Sequence, residues 1–427
     1  MPPAAARDAN WIDGLRGCAS FVVVTGHLCT AFAPYLHSPA MGEDLPPTLF
    51  QYPFLRLVVG GRSAVALFFL VTGYVNSISP IAKSRAGNTD AAFHGIAKSA
   101  LARSGRLVLP TVIATVFSWL LAQLGGYSMG EHVDATWIRQ GWHGRATDPW
   151  TAIESLVHAV IETWTVGWDE YDGTQWTLIL FLEGAFMVYM TMVATVLVTP
   201  FARKAIIWAL WVYSWLGGQA LKSMNVFFGM FVAELHADFG AEATNYLPMP
   251  VPSLMMIVGL FLCGYPQDAA ELAGWSRAMS NILLPITPKE ADIRRYWDSI
   301  GACILLLGIF FSKNARRVLT SPSFNFLGRV SFPVYLLHNQ LIKTLMTWMI
   351  YLPSAMHPTY DDQGQQKDLE RGPPLQFAVA IPVFYYILYR LAHLWVLYID
   401  PLCARLTNWA VKKAMGGASS EKPILIQ

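Results

Sequence analysis

Apolar runs long enough to form membrane helices alternate with short basic loops along this chain, and that alternation decides the fold class before any motif is read. A helix rises about 1.5 Å per residue, so about 20 apolar residues cross a hydrocarbon layer roughly 30 Å thick. Ten such spans are expected, at about 17–36, 63–80, 107–126, 176–199, 204–221, 225–238, 251–265, 299–312, 331–352 and 375–399. The sixth, seventh and eighth are short, which leaves tilted or re-entrant segments open there. Hydrophobic residues make up 54% of the chain and charged residues 14%, against about 45–50% and about 25% in soluble proteins. The expected fold class is therefore all-α, a polytopic transmembrane helical bundle. One membrane-embedded domain is expected over residues 1–413, with a disordered cytosolic tail over 414–427.

Charge placement orients the bundle, because loops rich in Lys and Arg stay in the cytosol. With a cytosolic N-terminus, that side collects Lys83, Arg85, Lys98, Arg103 and Arg106, then Arg203 and Lys204. Lys313, Arg316, Arg317 and Arg329 follow, and finally Arg405, Lys412 and Lys413. The opposite side receives residues 127–175, which hold eight carboxylates against Arg139 and Arg145. A weaker spot is the loop over 266–298, placed outside yet carrying Arg277, Lys289, Arg294 and Arg295. Within 127–175, HAVIETW reads as a short interfacial helix bounded by Trp150 and Trp164, and residues 353–374 read as a mobile outer loop.

The N-terminal string MPPAAARDAN lacks the apolar core and cleavage site of a secretory signal, so the first span is kept as a helix. The expected location is the endoplasmic reticulum or another endomembrane, with both termini cytosolic. A net charge of +2 argues against nucleic acid as a partner and leaves the lipid bilayer. Cys18, Cys29, Cys263, Cys303 and Cys403 show no metal-type spacing, so they are expected to be small packing residues and no metal site is expected.

Within the first span, a cation and an imidazole stand eleven residues apart, Arg16 and His27. At 100° per residue, eleven steps return the helix to within roughly 20° of its starting direction, about 16 Å farther along the axis. One face therefore carries both. An ionisable side chain inside a membrane span is costly and marks a functional site by default. The plainer reading stays open beside it, with His27 hydrogen-bonded between helices and Arg16 an interfacial anchor.

Several strings together resemble the acyltransferase 3 family of integral-membrane acyltransferases. IDGLRGCASFVVVTGH is similar to that family's first helix, whose signature is an Arg, ten intervening residues and a His, here Arg16 and His27. GRSAVALFFLVTGYV from Gly61 to Val75 resembles its second helix. SGRLVLP, with Arg103 just upstream and Arg106 inside, resembles the basic start of its third. NVFFGMFVAEL and LGRVSFPVYLLHN, the latter from Leu327 to Asn339, match later blocks.

The resemblance implies transfer of an acyl group from a cytosolic acyl-CoA, expected to be acetyl-CoA, to a hydroxyl of a small acceptor. Arg16, Arg103 and Arg106 would bind the nucleotide phosphates. The pantetheine arm would then run along the helix towards His27, the general base. An acyl-His27 intermediate is the covalent variant. His338, about 10 Å deep in its helix, would orient the acceptor or stabilise the oxyanion, or serve the structure alone. Asp13, Thr72 and Tyr74 are candidate supporting groups.

Glu183 stands seven positions after Trp176, whereas the family commonly places a Glu five after the Trp. Glu183 is therefore read either as catalytic or as a Glu satisfied inside the bundle. The acceptor class is expected to be a secondary metabolite, with a sugar or cell-envelope hydroxyl as the alternative. The rival class is a multi-pass transporter or proton-coupled carrier, in which His27, Glu183 and Glu234 would be relays. The other membrane-bound O-acyltransferase superfamily shares the chemistry but not the Arg and His spacing, and a non-catalytic binding or sensing relative is also considered.

Overall fold

A computed structural model of the chain describes residues 10–42, 45–360, 362–364 and 367–416. The helices that frame it are α1 (Asn10–Phe32), α2 (Gly61–Arg85), α3 (Thr89–Gln123), α4 (Pro149–Thr165), α5 (Thr177–Thr195), α6 (Pro200–Leu216) and α7 (Asn225–Phe239). They continue with α8 (Pro250–Cys263), α9 (Gly274–Leu283), α10 (Ile293–Phe311), α11 (Lys313–Leu319), α12 (Pro322–Leu341), α13 (Thr347–Met356) and α14 (Pro374–Ala414). The chain is a polytopic all-α membrane protein. The expected tail lies outside the described residues from position 417 onward.

Among the described residues, five helices are long and apolar enough to cross a membrane, or up to seven if each of two bent pairs counts as one span. The first pair turns through 106° between Ala220–Tyr246 and Pro250–Cys263, the second through 97° between α10 and α11. The ten expected spans include both limbs of the first bend and several shorter helices. The span expected at 331–352 is interrupted by a π-helical turn, Ile342–Met346, and the loop expected from 353 begins only after Met356. Lys98, Arg103 and Arg106, expected in a loop, lie in the helical first half of α3.

Local chemistry explains the boundaries. Pro34 has no amide hydrogen and disfavours a helical residue before it, so α1 stops at Phe32 and a short 3₁₀ turn follows. At α4 the Asp148 carboxylate accepts from the amides of Trp150 (2.9 Å) and Thr151 (3.0 Å), with Pro149 in the first turn. HAVIETW, expected to be a short helix, lies within α4, which leaves Trp150, Ile153, Val157 and Ile161 exposed.

The chain forms two compact units. One contains residues up to Cys29, Ala33–Arg103 and Phe181–Arg329. Its helices meet where glycine lets backbones approach, as membrane helices do without a hydrophobic drive between them. A methyl group on Gly14 would stand 2.0 Å from the Leu319 carbonyl oxygen, and one on Gly17 would stand 2.6 Å from the Gly328 amide nitrogen. Gly73 and Gly229 bring α2 and α7 together in the same way.

In this unit the fully buried Glu234 is held by Arg203, itself fully buried, and by Arg85. Arg85 also reaches Asp238 (2.7 Å), which binds Lys204 (2.9 Å), and Arg203 donates to Ser84 (2.9 Å). Arg203, expected in a cytosolic loop, is thus an interior strut.

The other unit contains Thr30–Phe32, Ser104–Leu180 and the chain from Val330. Trp119 of α3 donates to the Ala152 carbonyl of α4 (2.7 Å), and Tyr171 donates to Ser155 (2.8 Å). Ala122, Tyr127, Ala159 and Tyr171 form the apolar cluster around those contacts.

The glycine contacts carry a stability prediction. Gly17→Ala should lower the melting temperature of the detergent-solubilised protein, at a cost of about 1–3 kcal/mol. Gly274→Ala, where an added methyl meets nothing within 4 Å, should leave it in place. Equal melting temperatures for the two variants would contradict this packing.

Candidate functional site

Helix α1 is unbroken through Arg16 and His27, so the two side chains share one face with a rise of about 16 Å between them. Its N-terminal half is fixed by Gly14 and Gly17 against α11 and α12. Near His27, Gly26 approaches Gly61 at the start of α2 (3.5 Å from an added methyl). Arg16 forms an ion pair with Asp13 one turn earlier (3.3 Å), and its side chain retains 36% exposure. The guanidinium is thereby aimed without being sealed in, since a single carboxylate oxygen leaves most of its five donors for another anion. His27 is half-buried.

Arg103 is half-buried and Arg106 exposed, and they stand one turn apart on α3, so they project from neighbouring positions of one face. Thr72 donates back to Phe68 (2.9 Å), and the Tyr74 hydroxyl meets His236 Nδ1 (3.1 Å). Glu183 lies 46% exposed on α5 and is ion-paired with Lys222. Glu234, one of the relay residues of the transporter reading, is neutralised by its two arginines.

His338 is fully buried on α12. Its Nδ1 lies 2.6 Å from the Tyr335 carbonyl oxygen. A carbonyl only accepts, so Nδ1 carries a proton and, in the neutral ring, Nε2 is the basic nitrogen. This is the arrangement an orienting or proton-handling imidazole requires.

Beside His338 lies a polar centre that the sequence reading did not identify. Asp172, fully buried, accepts from the Thr174 amide (3.1 Å) and hydroxyl (2.6 Å), from Gln175 Nε2 (3.3 Å), from Gln340 Nε2 (2.8 Å) and from Asn339 Nδ2. Asp169, also fully buried, accepts from Thr115 (2.7 Å) and from the Tyr171 (2.9 Å) and Asp172 (3.2 Å) amides. Tyr335 donates to the Thr174 carbonyl, and its hydroxyl meets Thr177 (2.9 Å). Two signals existed in the sequence: paired aspartates three apart after α4, and the unbroken polar run His338, Asn339, Gln340 inside an apolar stretch.

Burial, with the Asp172 carboxylate beside it, pushes the Asp169 carboxyl up to about 7. The folded chain then holds a proton there that the unfolded chain releases near 4. Stability should therefore fall as pH rises from about 4 to about 7 and level off above. Asp169→Asn should flatten that part of a melting-temperature profile, and an unchanged slope would contradict the assignment.

With this geometry in view, comparison with known proteins is direct. A family model described as an acyltransferase domain matches residues 9–393. The O-acetyltransferase PaAT-1 of Phomopsis amygdali is 24% identical over 79% of this chain and 72% of that protein. Acyltransferase R4 of a Phoma species is 26% identical, covering 80% of this chain and 84% of its own. Acyltransferase clz18 of Cochliobolus lunatus is 25% identical, covering 78% and 82%. No solved structure matches the chain. The match runs from the start of α1, through the Arg16 and His27 face, into α14, and the chain belongs to the acyltransferase 3 family of membrane acyltransferases.

Proposed function

We propose that this acyltransferase moves an acyl group, acetyl by preference, from cytosolic acyl-CoA to a hydroxyl of a small-molecule acceptor, a secondary metabolite. The observation that carries the reading is the Arg16 and His27 face of α1. The relative named as an O-acetyltransferase supports oxygen as the acceptor atom and acetyl as the group moved.

In this reading Arg16 binds phosphate oxygens of the donor through charge-assisted hydrogen bonds, joined by Arg103 and Arg106. A pantetheine arm extended along α1 brings the thioester to His27. The His27 imidazole takes the proton of the acceptor hydroxyl as its oxygen attacks the thioester carbonyl carbon. The carbon–sulfur bond then breaks, the ester leaves, and the proton passes from the imidazolium to the CoA thiolate. General-base help of this kind is worth about 10² to 10⁴ in rate. His338 orients the acceptor or stabilises the oxyanion. Glu183 stays outside the reacting set, because Lys222 engages its carboxylate. The protein works in an endomembrane with both termini in the cytosol, consistent with the basic residues of α3 and α14.

Two measurements test this. His27→Ala should reduce CoA release from acetyl-CoA by about 10² or more while eluting like the wild type in detergent. Near-normal turnover would remove His27 as the base. Arg16→Ala should raise the acetyl-CoA Kd about tenfold, the loss of one charge-assisted contact, and an unchanged Kd would remove Arg16 from the phosphate site.

A further inference from the structure

The Asp172 centre presents hydrogen-bonding capacity that the described residues do not use. Gln175, Asn339 and Gln340 are each fully buried and each turn an amide N–H onto the Asp172 carboxylate. Their carbonyl oxygens, Gln175 Oε1, Asn339 Oδ1 and Gln340 Oε1, find no donor among the described residues. Flipping an amide is no remedy, since it would set a carbonyl oxygen against a carboxylate. Asp172 already accepts five hydrogen bonds, filling a carboxylate's capacity of about four lone-pair sites, so the three amides are locked in this orientation. A buried carbonyl left without a donor forfeits the hydrogen bond it had with water, so three in one place point to an occupant that supplies donors.

Charge selects the kind of donor. The Lys343 ammonium lies over the Trp137 ring (5.6 Å to the centroid) and within electrostatic reach of both Asp169 and Asp172. It offsets the Asp172 charge, and Asp169 holds its proton up to about pH 7. A cationic ligand gains little from a centre so balanced. A neutral hydroxyl suits it, because each locked amide offers a carbonyl oxygen and a second N–H side by side, and a hydroxyl both donates and accepts.

We propose that the amide groups of Gln175, Asn339 and Gln340, locked on Asp172, form a binding site for a small molecule that carries more than one hydroxyl. The inference concerns only the unit that holds Asp172 and stands apart from the acyl-transfer reading above.

The test uses the full chain in detergent and matched alcohols of one carbon skeleton, p-menthane-3,8-diol against menthol and trans-cyclohexane-1,2-diol against cyclohexanol. Thermal-shift titration should give half-saturation at a concentration about tenfold lower for each diol than for its monohydroxy partner. Gln340→Met, close in shape but without the amide, should shrink that ratio to about twofold or less. Equal responses to diol and mono-alcohol in the wild type, or no response to either, overturn the proposal without reliance on any variant. An undiminished ratio in Gln340→Met overturns it too. CoA release from acetyl-CoA is followed in parallel. Release without diol preference removes the hydroxyl site and keeps acyl transfer, whereas diol-selective binding without release keeps the site and removes acyl transfer.

Discussion

Neutralisation of buried charge is the constraint on which both units of this molecule depend. A carboxylate withdrawn from water among apolar helices persists only with partners that replace its hydration. Glu234 has two arginines and Asp172 has five donors, and neither is exposed. The two solutions differ in consequence. The charged strut at Glu234 ties α2, α6 and α7 together and leaves its carboxylate fully engaged, which makes it a poor relay. The amide-based solution at Asp172 satisfies the carboxylate but leaves three carbonyl oxygens without a donor among the described residues.

Helix α1 owes its placement to the close packing of the first unit. Gly14 and Gly17 hold its lower half against α11 and α12, and Gly26 admits the start of α2 near His27. A helix held near both residues presents Arg16 and His27 in one register, as the proposed donor site requires. Positioned groups of this kind account for much of what an active site contributes, because the geometry is set before the substrate arrives.

Much of this was legible in the residues. The apolar runs revealed α1, α2, α3, α5 and α14, and the order of short motifs led to the family that the whole-chain match establishes. The number of spans was not legible, because hydropathy reads length along the chain and is blind to direction. Bends of 106° and 97° turn apolar residues aside without altering their composition. The partners of Glu183 were hidden for a similar reason, since Lys222 lies on a π-helical turn that no local pattern announced. The Asp172 centre escaped because its donors come from two stretches more than 160 residues apart, joined only by the fold.

Two of the helices also outgrow the bilayer. At about 1.5 Å per residue, the 35 residues of α3 extend about 50 Å and the 41 residues of α14 about 60 Å, against roughly 30 Å of hydrocarbon. Even a tilt of about 40° leaves α14 reaching well past the acyl chains. Arg405, Lys412 and Lys413 occupy its far half, so it ends in a basic stalk longer than the hydrocarbon layer needs, with phospholipid headgroups within its reach.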